Sequence, residues 1–116
     1  MKSIFDQINE WANERSLLSI PWDKKQHSSF LEEELEELAE ANTDEMEVDA
    51  FCDMIVFCTN AIKLKGYNPN IAMEETLKEI SSRTGSWNSV TGKWEKFKTP
   101  EAMAKWYSAD YSKAKE

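Results

Sequence analysis

Two short acidic runs carry the chemistry that this sequence could perform. The first, Glu32 to Ala39, reads E-E-E-L-E-E-L-A, and the second places Asp49 and Asp53 four residues apart. At about 100° per helical residue, Phe30, Leu31, Leu35, Leu38, Ala39 and Ala41 fill one arc. Glu32, Glu36 and Glu40 fall on the opposite face, where water solvates them. Glu34 falls inside the apolar arc, between Ala41 and Leu38. Glu37 sits at its edge beside Phe30, and Glu33 about 40° further out. An ionised carboxylate does not face a core unless something compensates it.

The following segment sharpens the anomaly. Met46, Val48, Phe51, Met54, Ile55, Val56, Phe57, Ala61, Ile62 and Leu64 make it apolar nearly all round, the pattern of a central, buried helix. Yet Asp49, Asp53 and Asn60 lie within about 40° of one another, a narrow polar stripe. Two carboxylates stacked at i, i+4 repel by about 4 kcal/mol at 4 Å and an effective dielectric of 20. No Lys or Arg lies between Lys25 and Lys63 to neutralise them. Distant lysines or shared protons are two remedies, and a hard divalent cation is the best one. Oxygen ligands without a Cys or His pattern point to Mg2+, with Mn2+ as second choice. The two stripes are therefore predicted to face each other with metal between them. His27 is the sole histidine and neither cysteine has partner ligands, which disfavours zinc; the EF-hand spacing is absent.

The run Phe30 to Ala41 resembles the E-E-x-x-E helix of the all-α nucleotide pyrophosphohydrolases, the MazG-like superfamily, with Glu33, Glu34 and Glu37 at the motif positions. The usual second motif is E-x-x-D; Asp53 matches its aspartate, but Ala50 stands three residues earlier. Asp49-Ala50-Phe51-Cys52-Asp53 is instead similar to the D-x-x-x-D variant of phage-type and phosphoribosyl-ATP-pyrophosphohydrolase-like members. Ser82-Arg83-Thr84-Gly85 and Gly92-Lys93-Trp94 also look like pieces of those members, so the resemblance covers about residues 5 to 96.

That resemblance implies an enzyme that hydrolyses nucleoside triphosphates between the α and β phosphates, giving a monophosphate and pyrophosphate, as nucleotide-pool house-cleaning. Glu34, Glu37, Asp49 and Asp53 become ligands for Mg2+, and Glu33 either binds a further metal or orients water as a base. Glu33, Glu34, Glu37 and Asp53 form the expected catalytic set. Lys78, Arg83, Lys93 and Lys96 are candidates for the phosphates or are ordinary surface charge. Trp22 stacks on a base or packs in a core or interface. Asn60 bonds a base edge or a neighbouring helix, and His27 approaches the same mouth or is simply exposed. Two other readings stand beside the enzyme. One is a non-enzymatic acidic helical interaction module, which would spread its carboxylates outward; the other is a structural divalent-cation site without turnover.

The elements that must position these residues are helical. Ser3 and Asp6 resemble a capping box for a first helix ending near Arg15. A second helix starts between Asp23 and Ser29, with Ser29 and Glu32 as a capping-box candidate, and runs to about Ala41. Thr43 or Asp44 caps a third, which ends near Lys65 before Gly66. Asn68-Pro69 opens a fourth, ending near Arg83. A short hairpin around Thr91-Gly92 follows, then a terminal helix from Glu101 to about Tyr111. The expected fold is all-α: a single domain with a four-helix MazG-like bundle core over about residues 3–84 and a less regular tail over 85–116.

The 116 residues contain 3 Gly and 3 Pro, too few for a turn-rich β-sandwich or low-complexity disorder. The net charge of −8 is unevenly placed: residues 32 to 53 hold eleven acids and no base, which leaves +3 for the rest. An acidic surface disfavours nucleic-acid polymers as partners. No apolar run spans a bilayer and no signal-peptide pattern is seen, so the expectation is a soluble, cytoplasmic protein without membrane contact. Cys52 and Cys58, on different faces of one helix, are expected to be unpaired core thiols. A bundle this small with one wholly apolar helix needs outside cover. The expected partners are a nucleotide and a second copy, as a homodimer or dimer of dimers.

Overall fold

Short polar residues set where the helices begin. In the computed structural model, which describes all residues from Met1 to Glu116, Ser3 accepts from the Asp6 amide and Asp6 returns a bond to the Ser3 amide, completing the capping box of α1 (Ile4–Glu14). Asp23 caps α2 (Lys24–Glu40), so Ser29 lies inside the helix and caps nothing. Thr43 caps α3 (Asp44–Leu64), whose first turn carries Asp44, Glu45 and Glu47 against the positive end of the helix dipole. Gly66, at φ 88°, takes the left-handed turn that ends α3, and Pro69 opens α4 (Pro69–Ser81). The hairpin β1 (Gly85–Asn88) and β2 (Lys93–Lys96), the one-turn helix α5 (Pro100–Met103) and a closing 3-10 turn (Tyr111–Ala114) complete the chain. The protein is thus mostly helical with one two-stranded antiparallel sheet. No helix is long and apolar enough to cross a membrane.

The chain divides into two compact units, residues 1–70 with Glu116, and residues 71–115. In the first, α3 packs against both α1 and α2. Asn9 on α1 donates to Asn60 on α3 across 3.1 Å. Ala12 and Ala50 are buried here, and such small side chains let helix backbones approach closely. Phe30 and Phe57 stack with centroids 5.2 Å apart, adding an aromatic contact between α2 and α3.

Two expectations about α3 fail in the single chain. Met46, Val48, Phe51 and Ile55 are exposed rather than buried, because α1 and α2 cover only part of the helix circumference. Cys52 and Cys58 are unpaired as expected, but exposed rather than in a core.

In the second unit, the hairpin pairs Gly85 with Lys96 and Trp87 with Trp94. A Cβ on Gly85 would lie 2.2 Å from the Glu95 carbonyl oxygen and 2.6 Å from Trp94 Cζ2, so only glycine fits there. The terminal helix is far shorter than the sequence predicts. Side chains of α4 and of Ser82 just beyond it take the backbone donors that a longer α5 would have used itself. Ser82 Oγ accepts from the Tyr107 amide at 2.8 Å, Glu79 from the Ala109 amide at 3.1 Å, and Glu75 from the Asp110 amide at 3.0 Å.

Glu75 is the node of this arrangement and the largest fully buried side chain in the protein, 1% exposed. It also accepts from the Tyr107 hydroxyl and from Lys78 Nζ at 3.0 Å, with Lys113 Nζ 4.0 Å away. The Tyr107 bond, then the Asp110 amide and the two lysines, hold its carboxyl down at about 2 against an ordinary 4.5. A carboxyl depressed in the folded state stabilises fully above its unfolded value and loses that contribution as pH falls toward 2. Glu75→Gln should therefore lower the thermal midpoint at pH 7 by about 5 °C or more and raise hydrogen exchange at Tyr107, Ala109 and Asp110. The difference from wild type should shrink as pH falls from 4.5 toward 2.

Candidate metal centre

The acidic positions of α2 and α3 converge where these helices pack. Glu34 is 7% exposed, and its Oε2 has no hydrogen-bond partner. Carboxylate oxygens of Glu34, Glu37 and Asp53 all lie within 4.8 Å of one another. Helical spacing explains the cluster: Glu34 and Glu37 sit at i, i+3 on α2, and Asp53 comes from the facing helix. The exposure of Glu32, Glu36 and Glu40 matches their expected solvated face, and the burial of Glu34 matches its place in the apolar arc.

The electrostatics follow from this geometry. Burial raises the Glu34 carboxyl most, followed by the hydrogen bond with Glu37 and repulsion from Glu37, Asp53 and Asp49, which together bring it to about 7. Burial, Asp49 and Glu37 in turn raise Asp53. Three acids this close cannot all ionise without a counter-charge, and the buried Glu34 Oε2, without a hydrogen-bond partner, could serve as a ligand atom. Hard oxygen donors in this number suit Mg2+ or Mn2+, with water completing the shell.

The remaining expected site residues are placed as follows. Asp49 is exposed and lines a cavity of about 460 Å3 with Glu37, Glu40, Thr43, Glu45 and Met46. It acts on the triad through charge and is not one of the three converging carboxylates. Glu33 is likewise exposed and outside the triad. Trp22 stacks on the buried His27 at 4.6 Å, with Lys65 Nζ 5.0 Å from its ring. The Asn60 side-chain oxygen accepts from Asn9.

The basic candidates lie in the second unit. Arg83 and Lys96 share a cavity of about 730 Å3 with Trp94 and Lys98, among others. The Arg83 guanidinium lies 4.3 Å and Lys96 Nζ 5.3 Å from the centre of the Trp106 ring. Lys78 is paired with Glu75, and Lys93 is exposed on β2 opposite Asn88.

Asp53 also forms a wall of a smaller cavity, completed by Gln7, Ile8, Trp11 and Val56. The sequence pattern presents Ile8 and Trp11 only as the apolar face of α1 and leaves Gln7 aside. The available signal was the i, i+4 spacing of Gln7 and Trp11, which puts an amide and an indole on one face. No family model, no curated protein and no solved structure matches this chain.

The raised Glu34 carboxyl makes a signed prediction. The folded chain keeps a proton between pH 4.5 and about 7 that the unfolded chain has lost, so stability falls as pH rises through that window. Thermal unfolding in EDTA should show a falling midpoint from pH 5 to pH 7.5. Glu34→Gln should flatten most of that fall, and millimolar Mg2+ at pH 7.5 should raise the midpoint of wild type but not of the variant.

Proposed function

We propose that this chain is a Mg2+-dependent nucleoside triphosphate pyrophosphohydrolase of the MazG-like kind. It would hydrolyse NTPs or dNTPs between the α and β phosphates to monophosphate and pyrophosphate. The observation that carries the reading is the unpartnered, buried Glu34 oxygen, with Glu37 and Asp53 converging on it from two helices. The nucleotide part rests on the resemblance of the two acidic motifs and of the S-R-x-G and G-K-W pieces.

Glu34, Glu37 and Asp53 would hold the cation, with Asp49 adding negative charge beside them. When bound, the cation supplies charge neutralisation for a phosphate chain that the carboxylates alone would repel. Glu33, exposed on α2, is assigned to orient the attacking water and accept its proton. In the second unit, Arg83 and Lys96 lie beside the Trp106 ring, Arg83 also donates to the Tyr107 carbonyl at 3.2 Å, and Lys78 is committed to Glu75. A cytoplasmic setting suits both a nucleotide substrate and two free thiols.

A homodimer or dimer of dimers belongs to the same proposal. Val48, Phe51 and Ile55, at i, i+3 and i+7 on α3, are 57%, 50% and 52% exposed, and the fully buried apolar residues are all alanines. A second copy laid on this stripe would supply the missing cover.

Incubation with a panel of NTPs and dNTPs plus Mg2+ should release pyrophosphate and monophosphate. Glu37→Gln and Asp53→Asn should each lower kcat/KM by about 100-fold or more. Thermal stabilisation by Mg2+ without product would assign a structural cation site, and neither response would assign an acidic interaction module. Light scattering at micromolar concentration should give at least a dimer mass for wild type, reduced by Phe51→Glu; a strictly monomeric wild type would remove the oligomer.

A further inference from the structure

The cavity that shares Asp53 with the acidic triad has an unusual lining. It is lined by Ile8, Trp11 and Val56 together with Gln7 and Asp53, around a space of about 320 Å3. Three apolar walls with two polar groups are the make-up of a small-molecule pocket, at the small end of the usual size range. Asp53 belongs both to this lining and to the triad.

The α1 side of the pocket is held in place from behind. Asn9 and Ala12 are buried, with Asn9 bonded to Asn60 on α3. That packing turns the next face of α1, bearing Gln7, Ile8 and Trp11, toward the cavity. Trp11 is 43% exposed, a large aromatic surface beside a carboxylate cluster. The Arg15 guanidinium sits 4.8 Å from its ring centre, and Arg15 Nη1 also donates to the Trp11 carbonyl at 3.4 Å, which ties the two residues together.

Resting on the pyrophosphohydrolase reading, we infer that this cavity is the nucleobase pocket of that site, with the base stacked on Trp11 and its polar edge against the Gln7 amide. An indole is a stacking platform for any flat heterocycle, and an amide offers the neighbouring donor and acceptor that base edges carry. An anionic group is disfavoured here because Asp53 forms one wall. Of the residues expected from sequence to meet the base, Trp22 is stacked on His27 and Asn60 is bonded to Asn9, whereas the Gln7 amide makes only a long, exposed bond of 3.5 Å to the Lys2 carbonyl.

The test uses uncharged probes, so that it does not depend on hydrolysis. Adenosine, guanosine, cytidine and uridine are titrated into the 15N-labelled, metal-free chain, with ribose as control, and the indole N–H resonances are followed. Trp11→Phe identifies the resonance of Trp11. Nucleosides should shift the Trp11 signal and ribose should not. Trp11→Ala should weaken nucleoside binding about tenfold, and the exposed Gln7→Ala should weaken it several-fold with the circular-dichroism spectrum unchanged.

The inference is overturned if the nucleosides leave Trp11 unmoved, if they move Trp22 instead, or if ribose produces the same shift. It is also overturned if the Trp11 signal moves with protein concentration alone, which would make the face a subunit contact. Turnover separates this outcome from the parent reading. Trp11→Ala should raise KM for nucleoside triphosphates about tenfold, with a much smaller change in kcat. If no triphosphate is hydrolysed while nucleosides still shift Trp11, the pyrophosphohydrolase reading fails and the pocket stands. Hydrolysis with an unchanged KM in Trp11→Ala removes the pocket and spares the enzyme.

Discussion

A carboxylate withdrawn from water must take up a proton, find a hydrogen-bond donor or meet a cation, and Glu34 has no donor at its Oε2. The acidic cluster of the first unit is arranged around that constraint. The apolar arc of α2 that packs on α3 brings Glu34 inward, and the same packing presents Asp53 to it. Each additional carboxylate makes ionisation harder for the others, which is why both Glu34 and Asp53 are raised. The mutual repulsion of these carboxylates is what a divalent ion would convert into affinity.

Glu75 shows that burying a glutamate does not by itself produce such a site. It is even less exposed than Glu34, yet a tyrosine hydroxyl, a backbone amide and a lysine converge on it, and its carboxyl falls to about 2. One residue type in one chain therefore moves in opposite directions, and the difference lies in the partners. The fully partnered glutamate anchors a segment; the one whose Oε2 lacks a donor could take a ligand. This contrast within one chain supports reading the triad as a binding site rather than as a packing compromise.

Much of the first unit was legible in the sequence because its signals are local. Ser3, Thr43, Gly66 and Pro69 stand where helix ends require them, and the 100° rotation per residue was enough to separate Glu34 from Glu32, Glu36 and Glu40. The i, i+4 stacking of Asp49 and Asp53 was equally legible, but not which of the two would join Glu34 and Glu37, since that depends on how α3 is rotated against α2. The stop of α5 after Met103 was hidden for a related reason. Acceptors on Ser82, Glu75 and Glu79, more than twenty residues earlier, redirect the backbone, and no local propensity records a competitor so far away. Apolarity on every side of α3 announced a need for cover without saying that one chain would leave Val48, Phe51 and Ile55 in water. The cavity beside Trp11 needed two helices in register before it existed.

Gly66 and Gly85 are both glycines for structural reasons, and the reasons differ in how they would tolerate drift. Gly66 is held by a backbone angle with open space around its α-carbon, so asparagine could replace it at modest cost. Gly85 is held by crowding against the opposite strand, where even the single carbon of alanine meets backbone that cannot swing aside. A saturation library of this chain would thus show a graded response at 66 and an all-or-none one at 85. The hairpin that carries Lys96 and Trp94 rests on the one position where the smallest possible substitution is already too large.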